Sequence, residues 1–315
     1  MSVTTKTDGS SAAESWRASP AIALLRATRP KQWIKNGLVF LPFIFAVNVA
    51  WDLGSLAPVP GLLLRLAALF LAFCALSGAT YLLNDLRDRE ADQLHPVKRL
   101  RPIASGQVGV AAALAAMLLL AATGLAAMAL LDPVLASVGV IYLLINIGYS
   151  LGAKELVLID VFAVASGYVI RVAAGALAIG VAPSPWLYAT TGAGALFIVL
   201  GRRYAEVRLA GDFAEKQRLV LRHYAGPFIS QLLNISATTA WVSYTVYTVE
   251  APNLPSNHAM LLTVPFVTFG LFRYLYLLNA SSEAEAPEQL IVRDIPLALS
   301  LLAWIGVSAL VLLLN

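Results

Sequence analysis

One cysteine is all the chain contains. Cys74 lies inside an apolar run, so no disulfide can form within one chain and a cysteine-rich metal site is excluded; it reads as a small packing residue. Histidine is nearly as scarce, three in 315 residues, and no Ser/His or Cys/His constellation for nucleophilic catalysis is visible. Charge is low too. Asp, Glu, Lys and Arg make up 13% of the chain, against roughly 25% in soluble domains. The start lacks the apolar core of a cleavable signal: MSVTTKTDGSSAAES is polar and Ser/Thr-rich. Residues 1–25 therefore read as a disordered cytoplasmic tail.

What fills the chain instead is apolar sequence, 59% of it. Nine runs, roughly 37–51, 61–83, 108–131, 134–151, 156–180, 186–200, 228–249, 258–278 and 295–314, mostly approach the ~20 residues that cross a bilayer. Without water to satisfy the backbone such runs must be helical. The expected fold class is all-α, a polytopic membrane protein of nine transmembrane helices. Loops 52–60, 132–133, 181–185 and 250–257 contain no Lys or Arg. The basic residues gather in 1–36, 84–107, 152–155, 201–227, where Lys216 and Arg218 lie, and 279–294. That asymmetry places the N-terminus on the cytoplasmic side of an inner membrane. The net charge of +4 is thus largely topological and gives no ground for a nucleic-acid partner. Membrane lipids are the expected surroundings, and a homo-oligomer is left open.

One loop differs from a merely topogenic one. After the second run comes Asn84-Asp85-Leu86-Arg87-Asp88-Arg89-Glu90-Ala91-Asp92. Asp85, Asp88 and Asp92 stand at i, i+3 and i+7, so a helix sets them on one face. Three like charges there repel unless a cation sits among them. Oxygen-only ligands suit Mg²⁺, which completes its shell with water and substrate phosphate. The bland alternative is a solvated acidic helix end paired with Arg87 and Arg89. The metal reading is preferred because the loop runs on through His95, Lys98, Arg99 and Arg101 to Gly106. Carboxylates followed by basic side chains make a metal–phosphate site, Lys and Arg holding the oxygens that Mg²⁺ does not. His95 precedes a proline and reads as a turn residue.

The pattern N-D-x-x-D-x-x-x-D after the second of nine helices resembles the first signature of the UbiA superfamily of intramembrane prenyltransferases, and the resemblance extends from about Arg26 to the C-terminus. It implies a UbiA-type bundle over residues 26–315. It also implies a prenyl diphosphate clamped through Mg²⁺ by this motif and a second aspartate-rich one after the sixth helix. The second place here reads Gly201-Arg202-Arg203-Tyr204-Ala205-Glu206-Val207-Arg208, two arginines and a glutamate where carboxylates belong. That departure is similar to the branch that makes decaprenylphosphoryl-phosphoribose, as are Arg29 to Asn36, His95 to Gly106 and Tyr149 to Lys154. The branch joins a polyprenyl (decaprenyl) phosphate to 5-phosphoribosyl 1-diphosphate (PRPP), releasing pyrophosphate. In mycobacteria and relatives its product feeds cell-wall arabinan synthesis.

By this resemblance Asp85, Asp88 and Asp92 hold Mg²⁺ on the leaving pyrophosphate, and Lys35, Asn36, Asn84, Lys98, Arg101, Tyr149, Lys154, Arg202, Arg203 and Glu206 contact substrate. The nucleophile, a phosphate oxygen, is already anionic and needs no strong base. Competing local roles remain. Lys31 is equally an interfacial anchor beside Trp33, and Lys154 can pair with Glu155. Asp160 and Arg171 lie eleven apart in the fifth run, nearly on one face, and Arg171 suits an inter-helix hydrogen bond as well as phosphate. Gly167, Ala174, Gly175 and Gly180 suggest close helix packing. Phe40, Phe43 and Phe45 suit a lipid-tail groove, or more commonly the lipid itself. The runner-up activity is transfer of a polyprenyl chain from its diphosphate to an aromatic acceptor. A transporter fits worse, because transporters place polar sites near the midplane and the polar residues here gather at one face.

Overall fold

The computed structural model describes residues 19–182, 184–210, 219–224, 226–251, 254–280 and 293–314. Residues 1–18 of the expected tail, and Lys216 and Arg218, lie outside the described residues. Among the described residues there are helices and two isolated bridges but no β-strand.

Helix begins within the stretch expected as a tail. Helix α1, Pro20–Ala27, occupies the end of the stretch read as a tail. Ser19 caps it, accepting from the Ile22 amide, Pro20 opens it, and Ala23 and Ala27 bury its inner face against Leu82 and Ile103. The first expected run is also displaced. A 3₁₀ stretch, Pro30–Phe40, leads into α2, Leu41–Phe45, because Arg29 at φ 56° turns the chain and Pro30 fixes the first helical φ. The apolar residues after Phe45 turn back instead of continuing, through Asn48 at φ 62°, with the Trp51 indole donating to the Phe43 carbonyl at 3.0 Å. Phe45 is buried and Phe40 and Phe43 pack on the core, so these rings face the protein interior rather than lipid.

The long helices follow: α3 Val59–Arg87, a short α4 Arg89–Leu94, α5 Val110–Leu131, α6 Pro133–Leu151, α7 Ile159–Ala178, α8 Pro185–Ala210, α9 Pro227–Glu250, α10 Val264–Ala280 and α11 Ile295–Leu314. Among the described residues six helices, not nine, are long and apolar enough to cross a membrane: α3, α5, α6, α7, α10 with its preceding 3₁₀ turn, and α11. Helices α8 and α9 have the length, at 26 and 24 residues, but are more polar: α8 ends in Arg202, Arg203, Glu206 and Arg208, and α9 is rich in Ser and Thr.

Small residues let the rods close. A Cβ on Gly175 would come within 2.1 Å of the Val39 carbonyl oxygen, which draws α7 against the Pro30–Phe40 stretch. A Cβ on Gly124 would meet the Leu76 side chain, so α5 lies close on α3. This packing brings the C-terminal ends of α3, α6 and α8 and the start of α7 to one end of the bundle, around a shared cavity.

Candidate active site

The cavity, about 670 Å³, receives nearly all the charged residues picked out of the sequence. Lys35, Asn84, Asp88, Asp92, Lys98, Arg101, Tyr149, Lys154, Arg202, Arg203 and Glu206 line it, joined by Arg29 and His95. Two expected site residues do not. Asn36 is fully buried behind the wall, its amide donating to Cys74 Sγ at 3.3 Å and Ser77 Oγ at 3.2 Å. Asp85, 2% exposed, lies beneath Arg29 and Arg101.

The three carboxylates are held by basic side chains distant in sequence, not by Arg87 and Arg89. Asp85 accepts from Arg29 Nη2 at 2.5 Å and Arg101 Nη1 at 3.3 Å. Asp92 accepts from the same Arg101 nitrogen at 2.6 Å, and Asp88 from Lys154 Nζ at 2.5 Å. Lys154 thus reaches across helices rather than pairing with Glu155. Helix α3 ends at Arg87 and α4 begins at Arg89, so Asp88 sits at a joint. The helical sense still carries across it, with the Asp88 amide on Asn84 O and the Asp92 amide on Asp88 O.

Among the described residues no cluster of three carboxylate, imidazole or thiol groups is poised around a single point. The donor chemistry nonetheless fits a hard cation. Asn84 donates to Asp88 at 3.2 Å, while its own Oδ1 is buried without a partner among the described residues. A buried acceptor left unmatched is costly. Together with Asp88 and Asp92 it forms an oxygen-only set of the kind Mg²⁺ takes.

At the opposite wall the Arg202–Arg203 pair divides. Arg203 is 4% exposed; its Nε donates to Asp160 Oδ2 at 2.9 Å and Nη1 to Glu206. Asp160 also accepts from the Tyr224 hydroxyl at 2.5 Å, and that oxygen accepts the Leu158 amide at 2.8 Å. Burial and the adjacent Asp160 carboxylate push the Tyr224 phenol well above its usual pKa. Arg202 is exposed and pairs with Glu206 at 3.3 Å. His95 acts as a turn residue: Nδ1 accepts the amides of Val97 and Lys98 at 3.2 and 3.3 Å. Desolvation and the Lys98 cation hold its pKa below the usual histidine value.

Arg29, Tyr224 and the pairing of Arg203 with Asp160 are the parts of this ion-pair network that sequence reasoning missed. Asp160 and Arg171 do not meet, since eleven helical residues span ~16 Å along the axis. A lone carboxylate in an apolar run needs a cation at its own depth, and that signal points to another helix.

Residues 39–302 match the family model described as the UbiA prenyltransferase family. The chain belongs to that family. This UbiA chain is 33% identical over 291 residues to the decaprenyl-phosphate phosphoribosyltransferase of Mycobacterium tuberculosis H37Rv, covering 92% of this chain and 94% of that relative. The enzyme of the same name from Mycolicibacterium smegmatis is 33% identical over 296 residues, 90% of each chain. That of Corynebacterium glutamicum is 32% identical over 291 residues, 90% of this chain and 85% of the relative. Among solved structures, a UbiA homologue from Archaeoglobus fulgidus bound to DMAPP and Mg²⁺ superposes with a TM-score of 0.68 at 17% identity, covering 92% of this chain and 99% of that one. The same homologue bound to GPP and Mg²⁺ gives 0.66 at 16% identity, with the same coverage. Those likenesses are of fold.

Proposed function

We propose that this UbiA chain transfers 5-phosphoribose from PRPP to a polyprenyl phosphate, decaprenyl phosphate in its named relatives, and releases pyrophosphate. The observation that carries the reading is the exposed Arg202 guanidinium on the cavity wall, where the wider superfamily has its second aspartate motif. It stands in a chain alignable over nine-tenths of its length with enzymes of that activity. A donor carrying a 5-phosphate besides its diphosphate needs one more cationic subsite than a prenyl diphosphate does.

In the proposed reaction the ribose C1–oxygen bond to pyrophosphate breaks as an oxygen of the lipid phosphate bonds to C1. Positive charge grows on the ribose and negative charge on the leaving group. Mg²⁺, when bound, neutralises that leaving group; Asp88, Asp92 and Asn84 are the residues that would hold it. Lys154 and Arg101 line the same end of the cavity and supply fixed positive charge to phosphate oxygens. Arg202, exposed on the opposite wall, offers a guanidinium to the 5-phosphate, which it can grip bidentately as lysine cannot. Asp85, beneath Arg29 and Arg101, aims those two guanidinium groups. No side chain has to remove a proton, because the lipid phosphate is already an anion.

The reading extends to nine membrane crossings, with α8, α9 and the Pro30–Phe45 segment completing the six apolar spans. It places the N-terminus and the cavity mouth on the cytoplasmic side of the inner membrane, where PRPP is made, and the product in cell-wall arabinan supply. Prenyl transfer to an aromatic acceptor is the competing reading, favoured by solved neighbours bound to DMAPP and GPP. Membranes containing the protein, given ribose-labelled PRPP, decaprenyl phosphate and Mg²⁺, should move label into the organic phase. Label that stays aqueous in the presence of active protein would overturn the assignment.

A further inference from the structure

Asp85, Asp88, Asp92, Asp160 and Glu206 each accept from an arginine or lysine. Arg171 has no such match among the described residues. It lies in α7, only 7% exposed, on the wall of the cavity. Its Nε donates to Asn36 Oδ1 at 2.7 Å, Nη1 to the Gly167 carbonyl at 2.5 Å and Nη2 to the Tyr142 hydroxyl at 3.0 Å. All three acceptors are neutral. The rings of Tyr142 and Phe73 lie 5.0 and 5.6 Å from the guanidinium carbon. Twelve residues from the start of α7, Arg171 sits ~18 Å along the helix from the charged mouth. A cation at such depth in a membrane helix normally faces a counter-charge or a cavity; here the protein supplies only the cavity.

We infer that Arg171 is an anion subsite at the cavity floor, built for a phosphate monoester. A guanidinium carries five N–H donors. Three are engaged, which leaves one on each terminal nitrogen, the fork that grips two phosphate oxygens. Asn36, Gly167 and Tyr142 fix the plane of the group without neutralising it. Two monoesters take part in the reaction proposed above, the lipid phosphate and the 5-phosphate of PRPP, and the inference rests on that reading only for this choice of ligand. The depth, and the apolar side chains of Ala163, Val164 and Ile198 elsewhere in the cavity lining, favour the monoester that arrives on an apolar chain.

The test uses the purified full chain in detergent with geranyl phosphate, a short monoester, and geraniol, its neutral counterpart. Geranyl phosphate should bind and raise the thermal midpoint of the wild type, and geraniol should not. Arg171→Gln should weaken geranyl phosphate at least ~10-fold, the scale of one charge-assisted contact, with Arg171→Lys partly restoring it. If Arg171→Gln does not fold, Asn36→Asp serves in its place. It gives up the amide donation to Cys74 and Ser77 but sets a carboxylate on Arg171 from within, so the chain should fold while geranyl phosphate binding falls. In turnover assays, a raised KM for polyprenyl phosphate alone assigns the subsite to the lipid, and a raised KM for PRPP alone assigns it to the donor's 5-phosphate. Geranyl phosphate binding the wild type, Arg171→Gln and Asn36→Asp equally, or geraniol stabilising as well as the phosphate, overturns the inference. Failure to turn over PRPP would sink the phosphoribosyl reading yet leave the binding result intact.

Discussion

Arg203→Gln removes the guanidinium that meets Asp160, a carboxylate with no solvent exposure. Stranding one member of a buried ion pair costs about 3–5 kcal/mol. The Tyr224 hydroxyl remains on Asp160 at 2.5 Å, so the loss belongs near the lower end, about 3 kcal/mol. Arg203→Lys keeps the charge but cannot bridge Asp160 and Glu206 as a fork. It forfeits one charge-assisted hydrogen bond, about 1.5–3 kcal/mol. Adding Asp160→Asn to Arg203→Gln removes the stranded charge and should recover most of the deficit, a coupling that a double-mutant cycle reads directly. Thermal unfolding of the wild type, Arg203→Gln, Asp160→Asn, the double variant and Arg203→Lys in one detergent measures it. If Arg203→Gln unfolds like the wild type and only the KM for PRPP rises, Arg203 is a phosphate ligand rather than a brace, and the reasoning from its burial fails.

Asp88→Asn keeps the side-chain volume and removes a charge beside Asn84. Turnover with saturating Mg²⁺ should fall at least ~100-fold, while Leu86→Asn costs far less; near-normal Mg²⁺-dependent activity in Asp88→Asn would exclude it as a metal ligand. Arg202→Gln loses only an exposed pair worth about 0–1 kcal/mol, so stability should hold while the KM for PRPP rises roughly tenfold; an unchanged KM would remove Arg202 from the donor site. Single cysteines at Gln93 and Arg222, in a Cys74→Ala background, should both resist an impermeant maleimide in intact cells. Labelling of either from outside would reverse the orientation.

Much of the helix layout could be read from hydropathy, because a run of apolar residues in a bilayer has little choice but to be a helix. The run at 37–51 misled because hydropathy does not register chain direction: Arg29 at φ 56° and Pro30 begin the helix seven residues early, and Asn48 turns the apolar remainder back. The end of the tail was misjudged for a similar local reason, since the Ser19 cap and the Ala23–Ala27 pair are weak signals until Leu82 and Ile103 are there to bury them. Of the site, the acidic face was legible from spacing alone. What neutralises it was not: Arg29, Arg101 and Lys154 come from separate elements and meet the carboxylates only through the fold. Adjacent arginines likewise read as one motif, yet a helix turns ~100° per residue, which buries Arg203 on Asp160 and leaves Arg202 at the surface. The role of Asn36 follows the same logic. It lies one residue from the cavity-lining Lys35, and its neighbours are Cys74 and Ser77 behind the wall and Arg171 in the wall.

The donor is the point on which everything else turns. Purified protein in one vessel with Mg²⁺ can be offered PRPP and a polyprenyl diphosphate as donors, and polyprenyl phosphate and 4-hydroxybenzoate as acceptors, with products read by mass spectrometry. The expected result is a polyprenyl phosphate bearing a phosphoribosyl group, with pyrophosphate released in equal amount and no prenylated benzoate. Prenylated 4-hydroxybenzoate formed while PRPP is untouched would contradict it.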